Sequence, residues 1–296
     1  MFNDLVELYS SVDDFWKLFK TEWDKHLLES SKPKRGPEPA LSIPEMMTIS
    51  ILFHQSHFRN FKHFYNSYVL IHLQKEFPQL ISYSRFVYLM KGLFVPMFCY
   101  LLSLRGALTG IAFIDSTKIQ VCHNKRISRN KVFKGLAKRG KTTAGWFYGL
   151  KLHLIVNEVG EILAFHFTPG NVADVSVADI LSKDIFGKLF GDKGYISSKM
   201  CEKLLQRGLH LITSFKSNMK NKFMELKDKI LLRKRSLIET INDQLKNISQ
   251  LEHSRHRGIG NFFVNALAAL IAYAHQPKKP KLRMDNEQNT LIEYLY

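Results

Sequence analysis

The sequence predicts an α/β core, a mixed five-stranded sheet with flanking helices, preceded by an all-α N-terminal domain. Three observations support this fold class. Aromatic residues recur at helical spacing up to about residue 105, short apolar runs typical of buried strands follow, and strands then alternate with helices. At 296 residues, 45% of them hydrophobic, the chain is long enough to bury two cores. We therefore expect domains at 1–105 and 106–276, with a basic tail at 277–296.

The N-terminal region is predicted to be helical. Residues 1–30 follow a helical spacing, and residues 30–39 contain three prolines, which predicts a linker. Ser42 and Glu45 have the spacing of a capping box that opens the next helix. Further helices fit residues 40–105. Two interpretations stay open for them: plain helical packing, or a helix-turn-helix that binds DNA.

After Gly106 the apolar pattern becomes that of strands. Residues 110–115 form a continuous apolar run ending on Asp115, which indicates a central buried strand. A hairpin turning at 157–160 joins strands at 148–156 and 162–168. Strands at 189–192, ending on Asp192, and 210–215 are each preceded by a helix, and Asp174 is expected to cap the first of these helices. The predicted order is β-β-β-α-β-α-β-α.

A helix at 233–249 closes this order and carries two stripes. One stripe is apolar and suits a core; its members are Leu237, Ile238, Ile241, Leu245 and Ile248. The second stripe places Glu239 between Arg235 and Lys246, with Asn242 in the same row. The sequence therefore predicts that Glu239 faces whatever lies beside the core.

The charge balance predicts a polyanionic partner. Lysine and arginine number 43 against 26 acidic residues, giving a formal charge of +17. Such an excess suits nucleic acid or an anionic membrane surface. The longest apolar stretch, 262–274, is too short to span a bilayer and is expected to be a buried helix. The acidic start lacks the basic region of a signal peptide, and three cysteines without framework spacing suit a cytoplasmic protein.

Three carboxylates point to metal-dependent chemistry. Asp115 and Asp192 end apolar strands, and an aspartate in such a place is costly unless it is paired, used as a turn cap or metal-bound. Together with Glu239 they would repel one another unless divalent cations relieved the repulsion. Oxygen ligands favour Mg²⁺, with Mn²⁺ as a substitute. Two such ions about 3.5–4 Å apart can activate a water and stabilise the leaving oxygen of a phosphodiester.

A basic segment follows the first strand. Residues 125–141 hold eight basic residues and no acid, which suits either a solvated loop or a surface that neutralises phosphates beside the site. The DNA-contact candidates are Lys125, Arg126, Arg129, Lys131, Lys134, Lys138, Arg139 and Lys141, with Lys193, Arg235 and Lys246 elsewhere. Trp146 and Tyr148 could stack on a base, although core packing is an equal alternative.

These residues resemble a known family. The strand and helix order with Asp115, Asp192 and Glu239 in these places is similar to the ribonuclease H-like fold of DDE transposases. The spacing of Arg235, Glu239 and Lys246 resembles the Y-x2-R-x3-E-x6-K signature of bacterial insertion-sequence transposases, with a leucine at the tyrosine position. I-D-S-T, G-W-F-Y-G-L-K-L-H, G-D-K-G-Y and S-R-H-R-G resemble the insertion sequence 982 family.

The resemblance implies a function as well as a fold. Asp115, Asp192 and Glu239 would bind Mg²⁺, and Arg235 and Lys246 would hold DNA near the scissile phosphate. The expected activity is cleavage at terminal inverted repeats followed by transfer of the 3′-OH ends to target DNA. The expected partner is double-stranded DNA, bound by a homodimer in a bacterial cytoplasm, with no membrane partner.

Two alternatives remain open at this stage. A ribonuclease H-like nuclease would share the carboxylates but ignore end sequence. A non-enzymatic DNA-binding descendant would keep the positive charge and need no metal ligands.

Overall fold

The computed structural model describes residues 5–29, 39–143, 145–214, 224–252 and 256–282. It divides into two compact units, one made of Met1–Leu104 with Leu245–Pro277 and the other of Arg105–Gln244 with Lys278–Tyr296. The bounds predicted from the sequence had placed residues 245–276 with the core instead. Several predicted segments lie outside the described residues: 30–38 of the linker, Phe215 at the end of the last strand, and 283–296 of the tail.

The first unit is built from helices in its described residues. They are α1 (Leu5–Glu29), α2 (Ile43–Gln55), α3 (Phe61–Phe64), which runs through a π-helical turn (Tyr65–Val69) into α4 (Leu70–His72), α5 (Tyr83–Met90), α6 (Phe94–Ser103) and, far along the chain, α11 (Ile259–Ala274). Ser42 and Glu45 form the predicted capping box. The predicted buried helix at 262–274 is confirmed, because α11 packs against α2 and α6 with its apolar side chains buried.

One stretch of this unit has the length and composition of a membrane span. Tyr83–Ser103 is apolar enough to pass such a test, with 39% of the relevant window buried inside the protein. A core helix of a soluble protein passes the same test, so the feature decides nothing about a membrane.

The second unit contains one mixed sheet, which confirms the predicted mixed α/β class. Its strands are β1 (Ile111–Cys122), β2 (Lys138–Thr142), β3 (Gly145–Asn157), β4 (Ile162–Pro169), β5 (Gly187–Gly191) and β6 (Leu209–Thr213). β1 is central: β3 pairs with it antiparallel on one side and β5 parallel on the other, with β6 beyond. β2 and β4 share the outer edge of β3.

The predicted count of five strands is wrong, because the sheet of the described residues has six. The additional strand, β2, lies inside the segment that the sequence analysis treated as a basic loop. Its composition is K-R-G-K-T, which offers no apolar run to detect. Lysine is common on exposed sheet edges, where it discourages unwanted pairing with other chains. Gly140 allows the close approach of this edge, since a Cβ there would collide with the Phe147 ring and the Gly170 carbonyl oxygen.

Helices cover both faces of the sheet in this unit. Ile114 shares a buried cluster with Tyr195 and with residues of α7 (Val175–Leu181) and α8 (Ser198–Leu205). The opposite face of the strands meets α9 (Leu226–Arg233), which Lys188 Nζ of β5 joins by a 2.7 Å bond to Asp228. It also meets α10 (Ser236–Asn247), which bonds to Asp115.

The predicted helix at 233–249 is confirmed as α10 but is shorter than predicted, because it begins at Ser236, after a turn at Lys234 and Arg235 that separates it from α9, and ends at Asn247. The turn is tight: the Leu237 and Ile238 amides bond to carbonyl oxygens three residues back. The helical spacing of the side chains survives the break. Leu237, Ile238, Ile241 and Leu245 are buried as predicted, whereas Ile248 is exposed.

Candidate active site

Asp115 is a largely buried carboxylate on the central strand. Its side chain is 21% exposed and accepts a 3.0 Å hydrogen bond from Asn242 Nδ2 of α10. Arg235 Nη1 lies 3.9 Å from Asp115 Oδ1. Burial raises the pKa of Asp115 to about 6, although the Ser116 N–H and the Arg235 guanidinium act in the opposite direction. The site therefore holds a carboxylate whose charge is incompletely compensated.

Asp192 comes level with Asp115 on the neighbouring strand. β1 and β5 run parallel and pair Phe113 with Phe190. Asp115 is two residues further along β1, and Asp192 is two residues beyond Phe190, just after β5 ends at Gly191. The backbone of Asp192 stays extended, with φ −75° and ψ 168°, which keeps its side chain on the same face as that of Asp115. Neighbouring strands lie about 4.8 Å apart, so the two backbones lie side by side where β5 ends. β1 itself continues to Cys122, so the prediction that its strand ends on Asp115 is wrong. The carboxylate of Asp192 is exposed and accepts a bond from its neighbour Lys193 N–H at 2.6 Å.

Glu239 lies in the first turn of α10 and is joined to Asp115 through a cation. Arg235 Nη2 donates to Glu239 Oε1 at 2.6 Å, while Nη1 of the same guanidinium faces Asp115. The Glu239 side chain is 53% exposed. A salt bridge between residues four positions apart therefore occupies Arg235 in this structure.

The three carboxylates share a region but do not form a closed metal site. Across the described residues, no group of three or more His, Cys, Asp or Glu side chains lies close enough together to hold a metal ion. The chemistry of the donors fits a hard divalent cation nonetheless. Asp115 is buried and short of positive charge, and beside it Asn242 Oδ1 is a buried oxygen without a hydrogen-bond partner. Asp192 and Glu239 add two more oxygen donors.

A comparison of the sequence with models of protein families identifies the family of this chain. Residues 105–259, more than half of the chain, match the family model described as "Transposase DDE domain". The chain belongs to the DDE transposase family. The matched range contains Asp115, Asp192 and Glu239 and all of the sheet. Members of this family carry out DNA transposition, and they generally use divalent metals.

Two further comparisons were made, with solved structures and with curated protein sequences. Among solved structures, a piggyBac transposase synaptic complex with hairpin DNA is similar to this chain with a TM-score of 0.47 and 8% sequence identity. The alignment covers 92% of this chain and 74% of the piggyBac chain. A search of curated protein sequences gives no match.

Two side chains that sequence reasoning missed adjoin the carboxylates of this DDE transposase. The Tyr195 hydroxyl is buried without a hydrogen-bond partner, and its pKa is raised well above the ordinary value by burial and then by Asp174, Asp115 and Asp192. The G-D-K-G-Y motif is the one signal that could have singled it out.

The second is Asp174, and its predicted role is wrong. It occupies the N-cap position of α7, but its side chain makes no capping bond. Its carboxylate instead accepts bonds from Ser116 Oγ and Lys151 Nζ, both at 2.9 Å. The local sequence predicts a cap because it shows only that Asp174 precedes a helix. The actual partners, Ser116 and Lys151, lie on β1 and β3 and are distant in sequence.

The basic segment of the transposase is exposed along its length. It begins with a 3₁₀ helix (Asn124–Arg129) and ends in β2, and buried Phe133 and Ala137 anchor its middle. All eight candidate DNA contacts between 125 and 141 are exposed, as is Lys193. Within the part of the chain that is described, no ion pair with an acid occupies any of the eight.

The remaining candidates differ in their surroundings. Trp146 is 61% exposed, with Lys141 Nζ 5.8 Å from its ring centre. Tyr148 is 8% exposed and its hydroxyl donates to the Phe133 carbonyl oxygen, so its ring belongs to the core in this structure. Lys246 Nζ lies 3.7 Å from Glu252 Oε1.

Proposed function

We propose that this DDE transposase has a ribonuclease H-like core, cleaves phosphodiester bonds at the terminal inverted repeats of an insertion sequence, and transfers the 3′-OH ends to target DNA. The single observation that carries the proposal is the placement of the acids. Asp192 follows the end of β5, which runs parallel to β1 beside Asp115, and Glu239 of α10 shares the Arg235 guanidinium with Asp115. Family membership supports the same conclusion.

Asp115, Asp192 and Glu239 would hold Mg²⁺, or Mn²⁺ in its place. When bound, the metal supplies an activated nucleophile and stabilises the charge of the leaving oxygen. The residues of the chain supply the rest. The Asp115 side chain is 21% exposed, so most of it is shielded from solvent, and Asn242 Nδ2 donates to its Oδ2. Arg235 bonds to Glu239, and we propose that it turns to the DNA phosphate when Glu239 engages the metal.

The exposed basic segment is the proposed DNA contact. It leaves β1 seven residues after Asp115 and returns to the edge of the same sheet as β2. These eight exposed cations form no ion pair with an acid among the described residues, so they can displace counterions from DNA, and binding should weaken steeply with salt. Trp146 is proposed to stack on a base. Two element ends must be joined, so we propose a homodimer on DNA.

Cleavage of a labelled duplex that carries the element's own terminal repeat tests the proposal. The wild-type protein is expected to cut at the repeat end only with Mg²⁺ or Mn²⁺. Asp115→Asn, Asp192→Asn and Glu239→Gln should each reduce the rate at least about 10³-fold, since each removes a metal ligand, while duplex binding stays within about threefold. Glu202→Gln is the matched control, because it neutralises an exposed acid on α8 that is not one of the proposed metal ligands.

The alternatives predict different results. Equal cleavage of a scrambled duplex would indicate a nuclease without end specificity. Duplex binding with no metal-dependent cleavage by the wild-type protein would indicate a non-enzymatic DNA-binding protein. Full activity in any of the three substituted proteins would remove that residue from the metal site.

A further inference from the structure

The first unit divides its charge between two parts of its sequence. α1 carries six acids and three lysines. Residues 46–104 carry five lysines and arginines and a single acid, Glu76. The excess of positive charge in this stretch indicates that it, and not α1, contacts a polyanion.

Three cations of this stretch gather around two tyrosines of α5. Lys91 Nζ lies 4.6 Å and Arg85 Cζ 5.5 Å from the centre of the Tyr88 ring, which is 59% exposed. Lys62 Nζ lies 6.0 Å from the centre of the Tyr83 ring at the start of the same helix. Such contacts restrict long side chains that would otherwise sample many rotamers. The three cations are exposed, and among the described residues none of them forms an ion pair with an acid.

The opposite face of α5 attaches it to its neighbours in the first unit. Phe86 is fully buried, and the centre of its ring lies 5.5 Å from that of Phe61 and 4.9 Å from that of Tyr65. Asn261 Nδ2 of α11 donates to the Val87 carbonyl oxygen at 3.1 Å. The helix therefore has a supported face and an exposed one.

The exposed face of α5 has the size and chemistry to bind in a DNA groove. Helical spacing places Tyr88 and Lys91 opposite Phe86, with Arg85 at the edge of the same face. The major groove of DNA, about 12 Å wide, admits one α-helix, whose N-terminal residues contact base edges. Arg85 is in the first turn, where a guanidinium can form two bonds to guanine. Lys62 and Lys91 lie at the two ends of the helix, where they can bind phosphates.

We propose that α5 reads the terminal repeat, with Arg85 on a base pair and Lys62 and Lys91 on phosphates. End specificity then belongs to the first unit, and the basic segment of the second unit binds duplex DNA of any sequence. The inference rests on the proposed function, in which terminal repeats are the substrate. The connection before α5, residues 73–82, is longer than the turn of about three to four residues in a helix-turn-helix. The proposal therefore concerns the face of α5 and not that motif.

Fluorescence anisotropy of the full chain with two labelled duplexes tests the proposal, one carrying the element's terminal repeat and one with the same bases scrambled. Arg85→Ala should weaken binding to the repeat about 5- to 150-fold and leave binding to the scrambled duplex within about threefold. Arg85→Lys keeps the charge without the bidentate fork, so it should lose most of the same preference. Lys91→Ala should weaken binding to both duplexes alike and reduce the slope of log K against log salt by about 1.

Substitution of each base pair of the repeat in turn identifies the contact. One G·C pair is expected whose substitution weakens binding by the wild-type protein about 5- to 150-fold but binding by Arg85→Ala less than about threefold, because the two changes remove the same contact. Lys20→Ala is the matched control, since Lys20 is an exposed cation of the same unit on acidic α1. It should bind both duplexes as the wild-type protein does.

The outcomes separate this proposal from the proposed function. If Arg85→Ala and Arg85→Lys kept the wild-type preference for the repeat, or lost affinity equally for both duplexes, the reading role of α5 would be overturned, and repeat-end cleavage by the wild-type protein would leave the proposed function standing. A preference that depends on Arg85 in a wild-type protein that does not cut with Mg²⁺ would support the reading role and overturn the proposed cleavage. A wild-type protein that binds and cuts both duplexes equally would overturn both.

Discussion

Asp115 and Ser116 are consecutive residues of β1, so their side chains lie on opposite faces of the sheet. The Asp115 carboxylate on one face and the Asp174 carboxylate beside Ser116 on the other are held in contrasting ways. On the Ser116 face, Asp174 receives direct bonds from an ammonium group and a hydroxyl. On the other face, Asp115 receives one side-chain bond, from the amide of Asn242, and its nearest cation is 3.9 Å away and also bonded to Glu239. The fold gives Asp174 a directly bonded cation, whereas Asp115 has no cation within hydrogen-bonding distance among the described residues. Such a difference is expected if one carboxylate supports the structure and the other binds a cation from outside.

The largest expected effect comes from removing the cation on the Ser116 face. Lys151→Met should lower the free energy of unfolding by about 3 kcal/mol, because it leaves Asp174 partly buried without its lysine. Arg235→Met should cost less than about 1 kcal/mol, since its bonded partner Glu239 is more than half exposed. Urea denaturation at pH 8 in EDTA measures both.

A double variant controls this comparison. Lys151→Met with Asp174→Asn removes both charges and should recover part of the loss, because the buried unpaired charge disappears with its partner. Equal losses in Lys151→Met and Arg235→Met would show that the two faces do not differ in the way described.

The second prediction concerns Asp115, the carboxylate without a directly bonded cation. Asp115→Asn should raise the free energy of unfolding of the metal-free protein by about 2 kcal/mol at pH 8. The folded pKa of about 6 lies above the ordinary value, so the ionised carboxylate opposes folding above pH 6 and the penalty is absent below about pH 4. Urea denaturation in EDTA from pH 4 to 8 should therefore show a gap between the two proteins that opens as pH rises. A constant gap would contradict the buried charge.

Much of the second unit could be predicted because its strands are apolar and its motifs local. The run before Asp115, the hairpin and the apolar stripe of α10 follow from patterns a few residues long. β2 could not be predicted, since an exposed edge strand of charged residues has no apolar pattern and is defined by its pairing with β3. The break at Arg235 was hidden because a tight turn preserves the spacing of the side chains on each side of it.

The candidate site was predictable in its residue types and not in its contacts. Apolar runs that end on an aspartate and a helix stripe single out Asp115, Asp192 and Glu239, but the nearness of the two aspartates depends on the pairing of β1 with β5, which joins residues far apart in sequence. Asp174 illustrates the limit. Its position before a helix predicts a cap, and only the sheet reveals Ser116 and Lys151 as its partners.

The smallest effect separates the two faces by the sign of their response to acid. Burial lowers the pKa of His153 to about 4, with Lys151 and His166 adding to the shift and Asp174 opposing it. Neutral His153 therefore contributes stability that is complete above its ordinary pKa of about 6.5 and is lost as pH falls toward 4. Asp115 changes in the opposite direction, since its penalty is relieved as pH falls through 6.

His153→Gln should accordingly flatten the acid side of the stability profile. At pH 5 the loss relative to pH 8 should be smaller than in the wild-type protein by about 1 kcal/mol, while Asp115→Asn should make that loss larger because it removes the opposing contribution. Denaturation at pH 5 and 8 in EDTA gives both numbers, and Glu202→Gln serves as the exposed control. If the two substitutions shifted the profile in the same direction, the contrast between the faces of β1 would not be electrostatic in origin.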